Sequence, residues 1–207
     1  MVYISQESWV SESHNNRINP DWQIRCAPLP AGYAERWVAI KQKMKKVKYQ
    51  IRSFVDSDID AIVQLSLLAW EPVFNSFPQI LGPKIYSILY PDWQKSQKEG
   101  VETICTDKEK FNTLVAVCDK KVVGFLAYEL KKENETGGVI LLAVHPEYQN
   151  DGIGTELNTI ALQKMKAAGM KMVVVETGGD ESHAPARRSY KKAGYTAMPI
   201  VRYFKDL

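Results

Sequence analysis

The chain has 207 residues, 45% hydrophobic and 25% charged, which suits one ordinary soluble domain with a buried core and some extra length. Lys plus Arg number 27 and Asp plus Glu 24, and the resulting +3 demands neither a nucleic-acid nor a membrane partner. No apolar run approaches the roughly 18 residues of a spanning helix. Met1-Val2-Tyr3-Ile4-Ser5-Gln6 lacks the basic-then-apolar pattern of a secretion signal, so a cytoplasmic location is expected. Cys26, Cys105 and Cys118 form no CxxC and read as small buried residues. His14, His145 and His183 have no metal-ligand spacing, so no metal is expected.

Residues 1–43 hold Pro20, Pro28, Pro30, Gly32, Trp9, Trp22 and Trp37 with no sustained period. They read either as an extension or as a start-site artefact ahead of Met44, which puts the domain at 49–207 and the extra segment at 1–48. The lysines Lys41, Lys43, Lys45, Lys46 and Lys48 read as a solvated face rather than a nucleic-acid patch.

From Tyr49 to Phe54 the chain alternates as a strand. Ser57-Asp58-Ile59-Asp60 reads as a capping box, and Ile59, Ile62, Val63 and Leu67 give a helical apolar stripe that Pro72 should break. A second helical region runs from Pro83 to Lys98, interrupted at Pro91. Strands follow at Thr113–Val117 and Val122–Leu130, separated by the turn Cys118-Asp119-Lys120-Lys121. Lys131–Gly138 reads as a polar loop. Val139–Val144 is nearly all apolar and reads as a strand buried on both faces. Gly152–Ala168 reads as a helix ended by Gly169, Met172–Glu176 as another buried strand, Pro185–Ala193 as a helix closed by Gly194, and Val201–Lys205 as a last strand. The antiparallel meander in this order argues against a doubly wound parallel sheet.

The chemistry is concentrated where a buried strand runs through a short loop into a helix, at Leu142-Ala143-Val144-His145-Pro146-Glu147-Tyr148-Gln149-Asn150-Asp151-Gly152-Ile153-Gly154-Thr155. First-turn N–H groups of a helix lack internal partners, and with the helix dipole they favour an anion. Glycines at 152 and 154 let a diphosphate approach the backbone.

Val-x-Pro-x-x-Gln-x-x-Gly-x-Gly over Val144–Gly154 resembles the signature of the GNAT superfamily of N-acetyltransferases. So does Ala-x-x-x-Tyr-x-x-x-Gly-aromatic over Ala186–Tyr195. The resemblance covers Tyr49–Leu207 and implies an α/β fold: a mixed, mostly antiparallel sheet with splayed central parallel strands, flanked by helices. It implies an acetyl-CoA-dependent acyltransferase. Acetyl-CoA would lie against the backbone of Leu142, Ala143 and Val144, with its diphosphate on the amides of Gln149, Asn150, Asp151, Gly152, Ile153, Gly154 and Thr155. Further cofactor contacts would come from His183, Ala186 and Tyr190. An acceptor amine would attack the thioester directly, and Tyr190 would protonate the departing thiolate. A phenol with a reference pKa of about 10 is protonated at neutral pH, as a general acid must be.

The sequence departs from the pattern twice. Where many members carry an Asn, this chain has His183, whose ring can still donate a hydrogen bond. Where many carry a Glu base, it has Gly138. Glu176 is then the first candidate base, Glu129 and His145 are weaker ones, and a water relay is equally open. For His145 a structural or solvent-exposed role is the stronger expectation. The resemblance places the acceptor, a small-molecule or peptide amine, under the first two helices and the loop between them, here the segment Trp70–Phe77 with Trp70, Glu71 and Phe74. The resemblance is compatible with a homodimer. Two rivals stand beside this reading. A dinucleotide-binding oxidoreductase fails because the third glycine position is Leu157 and the loop after the strand is too long. A non-catalytic acyl-CoA sensor is permitted by Gly138.

Overall fold

The computed structural model describes residues 47–207, so the readings of Met44, Cys26 and the lysines up to Lys46 lie outside the described residues. The elements in chain order are β1 (Gln50–Ser53), α1 (Ile59–Leu81), α2 (Pro83–Leu89), α3 (Trp93–Thr106), β2 (Phe111–Cys118), β3 (Lys121–Lys131), β4 (Thr136–Val144), α4 (Ile153–Ala167), β5 (Met172–Val175) and α5 (Ala184–Lys192). The strands form one five-stranded sheet in the order β1-β2-β3-β4-β5. The first three pairings are antiparallel and β4–β5 is parallel. The mixed, mostly antiparallel sheet flanked by helices is the expected fold.

Each face of the sheet carries its own core. Leu126, Tyr128 and Val139 pack against Ile153, Leu157, Ala161 and Met165 of α4. On the other face, Val115, Phe125 and Ala143 meet Ile62, Val63 and Leu65 of α1 and Val101 and Cys105 of α3. Side chains alternate across a strand, so neighbours such as Phe125 and Leu126 belong to different cores. The β2–β3 turn is a two-residue hairpin, with Asp119 (φ 46°) and Lys120 (φ 66°) both left-handed and Cys118 paired with Lys121.

Several local expectations are corrected. α1 runs straight past Pro72 and Pro78 for 23 residues and ends at Gly82, whose φ is 77°. A proline removes one helical hydrogen bond, and burial of Ile62, Val63, Leu65 and Val73 holds the helix together regardless. Trp70–Phe77 is therefore helix, not loop. The helix entry is capped two residues earlier than Ser57 would place it: the Asp58 carboxylate accepts the Val55 N–H (2.9 Å) and binds Arg52 with both oxygens (2.7 and 2.8 Å). The expected interruption at Pro91 separates α2 from α3, but α3 continues past Lys98 to Thr106. Gly137 and Gly138 belong to β4 rather than to the preceding loop. β5 is not buried on both faces: it is the last strand of the sheet, with Met172 57% and Val174 44% exposed. Val201–Lys205 forms no strand, and nothing covers the outer edge of β5 among the described residues.

Candidate active site

Two strands and two helix starts define the site. β4 and β5 pair from Thr136–Met172 to Val139–Val175 and no further, so the parallel strands part beyond that rung. At the same level the β3–β4 register shifts between Ala127 and Tyr128, which leaves Ile140 as the extra residue of a bulge. Beyond it, Leu142 and Val144 pack toward α4 and Ala143 toward α1 and α3. The open strand backbone of Leu142–Val144 therefore faces the gap left by β5.

The chain then turns into α4. The His145 N–H donates to the Val123 carbonyl (2.9 Å), and its ring accepts the Glu147 N–H at Nδ1 (3.3 Å). These bonds hold the His145 backbone and ring in the turn. Gln149 folds back, its Nε2 donating to the Val144 carbonyl (3.1 Å). Asn150 (φ 70°) and Gly152 (φ 86°) are both left-handed, which swings the chain onto the helix axis. Gly152 at the cap has no side chain to offer. The backbone N–H groups of Asn150, Asp151, Gly152, Ile153, Gly154 and Thr155 have no partner among the described residues, and the Gly152 carbonyl opens the helix by accepting from Glu156. A Cβ on Gly154 would meet nothing closer than Val144 Cγ2 at 3.4 Å, an ordinary contact. The fold itself thus tolerates a side chain there, whereas a ligand seated on the amides would not. Glu156, in the same turn, accepts the Tyr49 hydroxyl (2.6 Å), and burial with that carboxylate pushes the Tyr49 phenol up to about 12.

Across the gap, Glu176 lies exposed one residue past β5. The loop from Gly178 to His183 is held by its own polar groups. Asp180 accepts from Ser182 and pairs with His183 Nδ1 (2.7 Å), and Arg187 donates to the Gly178 (2.7 Å) and Asp180 carbonyls. Burial opposes the Asp180 charge, but its bonds to Ser182 and His183 outweigh it and hold the carboxyl below its usual range. A Cβ on Gly178 would lie 2.4 Å from both Asp180 Oδ2 and His183 Nδ1, so this network requires glycine. His183 thus keeps only Nε2 for a ligand. Ala186 and Tyr190 follow, half-buried, on α5. Burial, then the neighbouring Tyr195, pushes the Tyr190 phenol up to about 12. The Tyr195 hydroxyl donates to buried Asn158 Oδ1 (3.2 Å), and Asn158 Nδ2 has no partner among the described residues.

Of the expected acceptor residues, Trp70 packs on the α1–α3 core and Glu71 is exposed. Phe74 stacks on Trp93 (4.4 Å) and meets Phe77 and Tyr90 edge-on (5.6 and 5.3 Å). Phe77 continues this aromatic cluster to the His183 ring (6.3 Å). Phe77 belongs to the expected acceptor segment Trp70–Phe77, whereas Tyr90 and Trp93 carry no site expectation from the sequence and join it only through their ring contacts with Phe74 of α1. Among the described residues, no group of three His, Cys, Asp or Glu side chains converges as a metal site, and no helix is long and apolar enough to cross a membrane.

Parting parallel strands thus stand beside a glycine-entered helix whose first amides have no partner among the described residues. Residues 82–195 match the Acetyltransferase (GNAT) family, and the chain belongs to that family. It is an acetyl-CoA-dependent N-acetyltransferase. The fold is similar to that of the PaiA N-acetyltransferase from Thermoplasma acidophilum in complex with coenzyme A, with TM-score 0.60, 17% identity and coverage of 73% of this chain and 91% of that one. It is similar to a ribosomal-protein-alanine N-acetyltransferase from Brucella melitensis biovar Abortus 2308 (TM-score 0.53, 16% identity, 75% and 99% covered). It is also similar to AAC(6')-Iy bound to a CoA–acetylneamine bisubstrate analogue (0.54, 13%, 77% and 99%). No curated protein sequence matches the chain.

Proposed function

We propose that this protein transfers the acetyl group of acetyl-CoA to a primary amine by direct attack in a ternary complex. The parting of β4 and β5 after Val139 and Val175, beside the six free amides of Asn150–Thr155, carries this reading. The pantetheine arm takes the open backbone of Leu142–Val144 as an added strand, and the diphosphate takes the amides and the helix dipole. His183 Nε2 and the Ala186 face of α5 flank the cofactor. The acceptor nitrogen attacks the thioester carbonyl in the fork. A C–N bond forms, the C–S bond breaks, and the Tyr190 hydroxyl gives its proton to the departing sulfur. A phenol pushed up to about 12 holds that proton at any working pH. The acceptor enters over the aromatic cluster of Phe74 and Phe77, with exposed Glu71 drawing in a cation. A small-molecule amine is the class this wall suits, and an aminoglycoside appears in the bisubstrate complex of one structural neighbour.

Two measurements test this together. Calorimetric titration with CoA asks whether the site binds the cofactor. Thiol release from saturating acetyl-CoA, with and without each of a set of amines, asks whether it transfers. Binding with no acceptor-dependent thiol would replace the transferase with an acyl-CoA sensor.

A further inference from the structure

Glu129 is a carboxylate in the middle of a sheet, only 8% exposed, on a strand whose neighbouring residues are otherwise apolar. Its partner among the described residues is Lys131 Nζ (2.7 Å), a side chain that is itself 49% exposed. A single solvent-facing lysine returns little for a buried charge, and an apolar residue would serve the sheet as well or better. The position of the carboxylate is specific. Glu129 pairs with Gly138 of β4, and Gly138 pairs with Val174 of β5. The next rung, Tyr128–Val139–Val175, is the last before the strands part. Glu129 therefore stands one rung from the fork.

Its face is also defined. Residues two apart share a face, so Glu129 lies with Ala127 and Phe125, and Phe125 packs against α1 and α3. This is the side of the aromatic wall, opposite α4. The glycine beside it completes the arrangement. A Cβ on Gly138 would sit 3.1 Å from both Cγ and Oε1 of Glu129, so the carboxylate lies over the backbone of β4 where a β4 side chain would otherwise project. Glycine inside a strand weakens it and marks a close approach, here that of a carboxylate from the next strand.

We infer that Glu129 is the general base of the transfer, acting across Gly138 on the acceptor amine directly or through one water. The inference rests on the transferase reading above. An acceptor ammonium loses one proton to the Glu129 carboxylate, and the free amine attacks the thioester. The nitrogen loses a second proton as the intermediate collapses. One proton ends on the CoA sulfur by way of Tyr190 and one leaves to solvent, so acetyl-CoA and R–NH₃⁺ give the amide, CoA–SH and H⁺. The base has changed strand, and the glycine is what makes room for it.

The test compares wild type, Glu129→Gln, Glu176→Gln and the exchange Glu129→Gly with Gly138→Glu. CoA titration, melting temperature and thiol release are measured with n-butylamine, neamine and an alanine-initiated peptide as acceptors. Glu129→Gln is expected to keep CoA affinity and melting temperature and to lose about 10²-fold or more in kcat. The exchange protein, whose carboxylate reaches the same space from β4, is expected to recover about tenfold or more over Glu129→Gln. A Glu129→Gln protein with wild-type kcat overturns the inference, and more so if Glu176→Gln is the inactive one. A loss of kcat that comes with an equal loss of CoA affinity or melting temperature also overturns it, as the mark of a packing role. A wild-type protein that binds CoA but turns over none of the three amines removes the transferase reading, and the base with it.

Discussion

The half proposed to hold the cofactor and the half proposed to receive the acceptor are built on opposite plans. Around β4 and α4 the interior is tight: Ile153, Leu157, Ala161 and Met165 are at most 1% exposed, and the groups offered to a ligand are backbone amides. Around α1, α2 and α3 the aromatic residues are half-buried, α2 buries no residue at all, and what is offered to a ligand is side chains. A diphosphate and an extended arm are constant, so rigid backbone can bind them in one geometry. An acceptor is what distinguishes one transferase from another, and side chains on helix faces can change without disturbing the sheet. The strand pair β4–β5 is the hinge between the plans, closed to Val139 and open beyond it.

The largest expected effect is on the chemistry in the fork. Tyr190→Phe removes one hydroxyl from a half-buried ring and should lower kcat by about 10²–10⁴-fold while leaving KM for acetyl-CoA nearly unchanged. Since burial pushes the phenol up to about 12, the wild-type kcat should show no loss from Tyr190 ionisation up to about pH 10. Steady-state rates of both proteins across pH decide this. Equal kcat would reduce Tyr190 to packing.

Next is the backbone site. Gly154→Asp should weaken CoA binding by about 10²-fold, since the carboxylate stands where the diphosphate sits. The melting temperature should barely move, because a Cβ at 154 meets only an ordinary contact with Val144. Calorimetry and a thermal melt check the two halves of the statement. A fold-wide loss would erase the contrast between a ligand-imposed and a packing-imposed glycine.

A smaller effect is expected at the root of the acceptor half. Arg52, by its hydrogen bonds, holds Asp58 below the usual carboxylate range against the cost of burial. A depressed carboxyl stabilises the fold above its unfolded pKa of about 4, and that contribution is lost as pH falls through the lower folded value. Asp58→Asn should cost about 1–3 kcal/mol at neutral pH. The gap from wild type should narrow at about pH 3 and below. Urea unfolding at the two pH values reads both. A gap that widens with acid would mean that another group governs this end of α1.

The smallest effect is expected on removing residues 1–43. The remaining chain, starting at Met44, should bind CoA within about twofold of the full chain, an energy difference under RT. Calorimetric titration of both chains tests this. A large drop in affinity or melting temperature would make the first 43 residues part of the domain.

The sequence alone determined the central elements and the cofactor loop. Period-two alternation, glycine stops and the Val144–Gly154 spacing are local signals that survive in any tertiary context, so β1 to β4, α4 and α5 appeared within a few residues of their expected bounds. The glycine at the helix entry, Gly152, was legible for the same reason, whereas the left-handed Asn150 before it was not. What local signals could not settle was decided by burial and by partners distant in sequence. Pro72 is a helix breaker by propensity, yet the core contacts of Ile62, Val63 and Val73 carry α1 through it. Met172–Val175 is apolar enough for a central strand, but exposure depends on whether another strand covers it, and none does among the described residues. The aromatic wall joins α1, α3 and the loop before α5, three segments that share no motif. The Glu129–Gly138 pair is the clearest case. In sequence the two residues, nine positions apart, are a weaker base candidate and the glycine at the family's base position, with nothing that joins them. Only the β3–β4 register sets the carboxylate over the glycine backbone, one rung from the place where the strands part.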